Sequence, residues 1–310
     1  MESQCLGLAE AMGLTPLVKR VRLRSPWKQL SPHLLRLGNQ WAMTPESDPI
    51  APPWPDVLIA TGRQSVAASL VVRANNPRCL RIQIQDPGIR PSLFDLVVVP
   101  RHDRRRGANV VVSRGALHRV TPARIAEAAA AWAPRFAALP RPLVAVLVGG
   151  RNGAYDFTTA DAEALADGLV RLCDDYGAGL VVTPSRRTGA ENEALLRQRL
   201  EGRPAYIWDG KGDNPYFALL GLADVLVTTP DSVNMVSEAA STGKPVHVVA
   251  LTGGSPKFNR FHDALRADGV TRPFTGRLEP WSYAPLDDTA QVAAVALKLL
   301  AERGITPPAP

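Results

Sequence analysis

Short apolar runs rich in β-branched residues alternate along this chain with longer stretches whose apolar positions recur at helical spacing. In the first half, residues 18–23, 56–60, 80–83, 96–99 and 110–113 read as strands. Residues 26–37, the stretch after Thr61-Gly62-Arg63 that ends near Ala74, and residues 121–137 read as helices. Thr121 suits the N-cap of the last, and Pro122 its first helical position. In the second half, strands are expected at 143–148, 180–182, 205–208, 225–227 and 246–250. Helices are expected at 159–176, 190–200, 215–222, 233–241, 256–267 and 288–303. The 159–176 stretch sets Ala162, Leu165, Ala166, Leu169, Val170 and Cys173 on one stripe. Residues 306–310 are expected to fray.

Strands that alternate with helices imply βαβ units and a mostly parallel sheet. A proline break at Leu139-Pro140-Arg141-Pro142 separates two such series. The expected fold class is therefore α/β, with two doubly wound Rossmann-like domains facing a cleft. These are a basic domain over residues 1–140 and a second over 141–310, with the last helix packing back on the first domain. Residues 1–140 carry 19 Lys and Arg against 9 Asp and Glu, whereas 141–310 carry 17 against 20. The first half thus favours an anionic partner, such as a phosphorylated metabolite or an acidic membrane surface, although a solvated arginine face accounts for the charge equally well.

Other chemistry is argued against. Cys5, Cys79 and Cys173 form no close pair, so neither a disulfide framework nor a CxxC site is expected. No apolar run approaches the ~18 residues of a membrane span. The N-terminal residues lack a basic and then apolar leader, so the expected location is the cytoplasm, or the membrane periphery. The Walker, dinucleotide, nucleophile-elbow and HExxH motifs are all missing, and so is Asp-x-Asp. No metal or cofactor is therefore expected, and with no nucleic-acid module signature no nucleic-acid partner either.

In a doubly wound sheet, ligands sit beyond the carboxyl ends of the strands. In the second domain that rule selects Gly149-Gly150-Arg151-Asn152, Ser185-Arg186-Arg187-Thr188, Asp209-Gly210-Lys211 and Thr229-Pro230-Asp231-Ser232-Val233-Asn234. Gly149 and Gly150 allow close backbone approach to a ligand. Asp231 or Ser232 would cap the helix beginning there, whose N-terminus suits a phosphate. Glu238 on that helix can accept hydrogen bonds from a ribose diol. In the first domain the rule selects residues 61–65, Gln85-Asp86-Pro87, Arg101-His102-Asp103-Arg104 and His118-Arg119. His102 is the natural general base there, with Asp103 beside it.

The stretch Glu238-Ala-Ala-Ser-Thr-Gly243-Lys-Pro245 resembles the C-terminal motif of GT-B glycosyltransferases, in which the Glu holds the donor ribose. A closer resemblance rests on Gln85-Asp-Pro, Pro100-Arg-His-Asp103, Gly115-Ala-Leu-His118, Gly149-Gly150 and Thr183-Pro-Ser-Arg-Arg-Thr188. It continues through Asp213-Asn-Pro-Tyr216, residues 229–238 and Gly254-Ser-Pro-Lys-Phe258. Together these resemble the mitochondrial fission protein family of the elongated-mitochondria type. That family is similar in fold to GT-B enzymes, and its plant members act in mitochondrial division by recruiting a dynamin-related protein. Its members begin with a strand and Gly-rich loop before a Gln-x-Leu-Gly-Leu-Ala-Glu-Ala stretch. Here that stretch starts at Gln4, so the first strand of the N-terminal domain is expected to be missing. The Ala, Arg and Pro usage fits a GC-rich bacterial source.

The resemblance implies a metal-independent glycosyltransferase that takes a nucleotide-sugar donor as substrate and an unidentified, anionic acceptor. Gly150, Arg186 and the helix N-terminus at Ser232 would meet the donor diphosphate, Glu238 the ribose and Asp209 the base, with Gly149, Arg151, Ser185, Asp231 and Asn234 also among the nucleotide-binding residues. His102 or Asp103 would deprotonate the acceptor. The alternatives are a non-catalytic scaffold of the same fold, binding a protein partner or acidic membrane, and a nucleoside-diphosphate-sugar epimerase.

Overall fold

The computed structural model describes residues 1–29 and 42–305. It divides into two compact units, residues 1–119 with 287–310 and residues 120–286.

The first unit is built on four parallel strands in the order β1 (Val57–Thr61), β2 (Leu80–Ile84), β3 (Leu96–Pro100) and β4 (Val110–Ser113). On one face, Ile82, Ile84, Leu96 and Val98 pack against α1 (Glu2–Ala11) and α9 (Asp288–Ala301). On the other, Val97 and Val99 meet Val66 of α2 (Val66–Asn75). Each fully buried side chain of this size contributes about 1.5–3 kcal/mol. Helix α9 is tied down at both ends. Asp288 accepts the backbone N–H groups of Arg114 and Gly115, each at 2.9 Å. Arg303 donates to Asp95 at 2.6 Å, and Asp95 also holds Arg81 at 2.8 Å.

The second unit carries β5 (Leu143–Val148), β6 (Gly179–Pro184), β7 (Ala205–Ile207), β8 (Val225–Thr228), β9 (Val246–Val248) and β10 (Thr271–Pro273). They form one parallel sheet in the order β10-β9-β8-β5-β6-β7. Along β5, Val144, Val146 and Val148 face α4 (Thr159–Tyr176) and α5 (Ala190–Arg199). Leu143, Ala145 and Leu147 face the cluster of α3 (Pro122–Phe136), α6 (Tyr216–Leu222) and α7 (Val233–Ala240). Burial on both faces is why this strand has no polar alternation.

Several outcomes differ from the sequence reading, which expected no helix at α1. Residues 18–23 form no strand. Arg20 N–H donates to Asp48 Oδ2 at 2.5 Å and Arg22 N–H to Ser47 Oγ at 2.9 Å, so side chains answer these amides while the carbonyls accept from the backbone of Asp48 and Thr44. Only an isolated bridge joins Leu23 to Met43. The helix expected at 26–37 runs into residues 30–41, outside the described residues, and residues 25–29 form turns. Strand β10, which ends in a proline, is recognisable only by its pairing with β9 at the sheet edge. The units divide ahead of the proline break, because Ile125, Trp132 and Phe136 of α3 pack into the second sheet's core. The tail at 306–310, expected to fray, lies outside the described residues. Among the described residues, no helix is long and apolar enough to cross a membrane.

Candidate functional site

Strand order in the second sheet reverses between β5 and β8. In an open α/β sheet a ligand crevice lies beyond the carboxyl ends at such a point. Strand β5 runs into residues 149–152 and β8 into residues 229–232, and one network joins them. Gly149 N–H donates to Thr229 Oγ1 at 2.8 Å, and that hydroxyl donates to Asp231 Oδ1 at 2.6 Å. The Asn152 amide donates to Asp231 O at 2.8 Å. The loop after β6 closes over the same point. The hydroxyls of Ser185 and Thr188 both donate to Gly149 O, at 2.8 and 2.7 Å. Arg151 N–H donates to Arg187 O at 3.1 Å.

The two glycines are required by this packing. A Cβ at Gly149 would collide with the Asp231 carboxylate, and one at Gly150 with the backbone of Arg187. Their room is therefore filled by protein.

Asp231 has a side chain that is 0% exposed, and its Oδ2 lies 2.8 Å from Nη1 of Arg187, which is 42% exposed. The guanidinium is thus anchored from below and open above. Beside it, Ser232 caps α7, its Oγ accepting Met235 N–H at 3.3 Å. A helix N-terminus and a held guanidinium both favour an anion. The floor is braced by His262 of α8 (Pro256–Ala267), whose Nε2 lies 2.9 Å from Pro230 O. Burial lowers the His262 pKa, and burial followed by the Asp231 charge raises that of Tyr155. With the imidazole neutral and Nε2 protonated, this is a donor to the carbonyl.

Further along α7, Tyr216 Oη donates to Glu238 Oε2 at 2.5 Å. Burial raises the Glu238 pKa, and the tyrosine hydrogen bond works against that rise. One carboxylate oxygen is thereby fixed while Oε1 keeps its acceptor capacity.

The structure brings Gly149, Gly150, Ser185, Asp231 and Ser232 together. Asn234 follows in the first turn of α7, half-buried. The Arg151 side chain is exposed and 3.8 Å from Asp156. Arg186 is exposed, whereas Arg187 meets Asp231. Asp209 closes an exposed turn, accepting Lys211 N–H at 3.0 Å. His102 is buried in the loop after β3, and Asp103 is half-buried beside it, both in the first unit. The sequence reading left Arg187, Thr229, Tyr216 and His262 without roles. Tyr216 stands within the Asp-Asn-Pro-Tyr motif, but its contact with Glu238 is made by folding. Among the described residues, no three His, Cys, Asp or Glu side chains gather as a metal site would require.

This fold and crevice define a two-domain Rossmann-like protein of the GT-B class. Residues 1–300 match the family model described as mitochondrial fission ELM1, and the chain belongs to that family. It is 36% identical over 278 residues to the mitochondrial fission protein ELM1 of Arabidopsis thaliana, across 81% of this chain and 65% of the plant protein. The chain thus spans less than two thirds of that relative's length. Among solved structures, UDP-GlcNAc 2-epimerase from Methanocaldococcus jannaschii aligns with a TM-score of 0.51 at 12% identity, covering 94% of this chain and 88% of that one. The same archaeal enzyme in complex with UDP-GlcNAc and UDP aligns with a TM-score of 0.50 at 13% identity, over 80% and 76%. At these identities the likeness is one of fold.

Proposed function

We propose that the chain is a metal-independent glycosyltransferase that binds a nucleotide-sugar at the crevice between β5 and β8. The observation that carries the reading is the anchoring of Arg187 on buried Asp231 beside the Ser232-capped helix. It supplies fixed guanidinium N–H donors beside the partial positive charge of the helix N-terminus where a diphosphate would lie, without a divalent ion. On this reading Arg187 and residues 232–234 at the start of α7 take the diphosphate, the loops at 149–152 and 185–188 hold them in place, and Glu238 Oε1 accepts from the ribose. Asp209 stands in the loop for the base, and Asp103 or His102 serves as base toward the acceptor. The archaeal epimerase that shares the fold has been seen with UDP-GlcNAc and UDP, which supports a nucleotide-sugar as the ligand class.

The test is a thermal-shift screen against UDP, GDP, ADP, CMP and their sugar conjugates. A ligand at a hundred times its Kd adds about 2.7 kcal/mol. A shift with one base, weakened in Glu238→Gln and in Arg187→Ala, followed by turnover of the matching sugar conjugate, supports the proposal. Binding without turnover favours the scaffold reading. No shift with any nucleotide at millimolar concentration overturns the donor site.

A further inference from the structure

The strands of the first unit's sheet share one carboxyl edge. Every strand of its sheet ends in a loop bearing arginine. Arg63 follows β1, Arg90 follows β2, four arginines lie between 101 and 106 after β3, and Arg114 follows β4. Asp86 and Asp103 are the carboxylates of residues 62–65, 85–90 and 101–107. Two of the arginines build the edge itself. Arg105 bridges to Asp86 at 3.1 Å, and Arg106 donates to the carbonyls of Asp103 and Arg105 at 2.7 and 2.6 Å. Arg90 and Arg104 are exposed.

Beneath this cationic rim lies a neutral polar group. Gln83, on β2, is 0% exposed. Its Nε2 donates to Gly62 O, one residue past the end of β1, and to Ile84 O, both at 3.1 Å. The amide therefore lies at the sheet's carboxyl end, and its Oε1 is a buried acceptor with no donor. Native structures rarely leave such an oxygen unmatched unless a ligand or ordered water meets it. Next to it, Gln85 is held at φ +70°, the single non-glycine in that region among the described residues, with its N–H on Val98 O at 2.7 Å. Strain of this kind gathers at binding sites.

We infer that this edge binds a small phosphorylated hydroxyl compound, of the sugar-phosphate or polyol-phosphate class. The rim arginines take the phosphate, and Gln83 Oε1 accepts from a hydroxyl once the exposed Met1 side chain, which lies against the Gly62 turn, swings aside. The loops over residues 62–65, 85–90 and 101–107 contain no Phe, Tyr or Trp for base stacking and their one imidazole, His102, is buried, which argues against a nucleic acid. They also hold none of the exposed large hydrophobics of the described residues, which argues against a lipid surface. The inference deepens the transferase reading, on which this compound is the acceptor, but its binding requires no donor.

The test is calorimetric titration at low salt, without nucleotide, using glucose 6-phosphate, inorganic phosphate, glucose, a single-stranded oligonucleotide and anionic phospholipid vesicles. Glucose 6-phosphate is expected to bind about tenfold more tightly than inorganic phosphate, and glucose not measurably. Gln83→Met should abolish the preference for the sugar phosphate over inorganic phosphate. The exposed pair Arg90→Glu and Arg104→Glu should abolish binding of both while leaving the fold intact. Arg187→Ala and Glu238→Gln should change neither, so a failed donor site does not mask this one. The inference is overturned by absent glucose 6-phosphate binding at millimolar concentration, by its loss in Arg187→Ala, or by a preference that survives Gln83→Met. Binding of oligonucleotide or vesicles in place of the sugar phosphate also overturns it.

Discussion

The Tyr216 hydroxyl donates to Glu238 Oε2 at 2.5 Å, joining α6 to α7 through a half-buried carboxylate whose pKa lies above its ordinary value of 4.5. A carboxyl group with a raised folded-state pKa binds its proton more tightly folded than unfolded. Its ionisation therefore lowers stability as pH rises from 4.5 through the folded value. Glu238→Gln should remove that loss, so its stability relative to wild type should be higher above the folded pKa than at pH near 4. Tyr216→Phe should widen the window upward, since the hydrogen bond that opposes the rise is gone. Chemical denaturation across pH measures both.

The buried histidines act with the opposite sign. Burial lowers His247 and His262 below the ordinary 6.5, so the unfolded chain takes up protons first as the solution is acidified. Stability should fall as pH drops from 6.5 toward the folded values. His262→Gln should flatten that fall, and the same denaturation series in this variant measures it.

Arg187 and Asp231 form a pair with one partner fully buried. Arg187→Ala leaves the carboxylate without its cation and should cost about 1–3 kcal/mol in stability. Asp231→Asn in the Arg187→Ala background should recover part of that cost. A double-mutant cycle by urea denaturation checks this.

Gly149→Ala places a methyl group against Asp231 and should cost about 1–3 kcal/mol. Gly153→Ala, in the same loop, meets open space and should stay within about 0.5 kcal/mol of wild type. Thermal unfolding of the two variants separates a packing requirement from a general intolerance of the loop.

Asp288→Ala removes both acceptors of the Arg114 and Gly115 amides and should loosen α9 from the first unit. A stability loss of about 2 kcal/mol is expected, with faster hydrogen exchange along α9.

Much of the fold was legible because buried parallel strands read as unbroken apolar runs. Residues 143–148 fall where the pattern put them, 96–99 lie within β3, and α4 spans 159–176 as its stripe predicts. The pattern misled at 18–23, where Val21 and Leu23 alternate with Arg20 and Arg22 as a strand would. Whether such a segment joins a sheet depends on which groups answer its amides, and here Asp48 and Ser47 do. Short β10 was missed for the converse reason, because its pairing with β9 is all that makes it a strand.

The loops of the site were also legible, since the rule that ligands lie beyond strand ends needs only the order of elements. Which side chain in a loop does the work was not. Arg186 and Arg187 are neighbours of the same type, and no local pattern separates them. The buried carboxylate of Asp231, brought up by β8, selects Arg187. Glu238 was marked by its motif, but its tyrosine partner and its raised pKa arise from the contact of α6 with α7. Hydrophobic periodicity by itself determined the βαβ plan and where the loops would stand, because burial acts residue by residue. Tertiary structure alone decided which polar atoms meet, because hydrogen bonds and ion pairs in the interior depend on distances set by segments far apart in the chain.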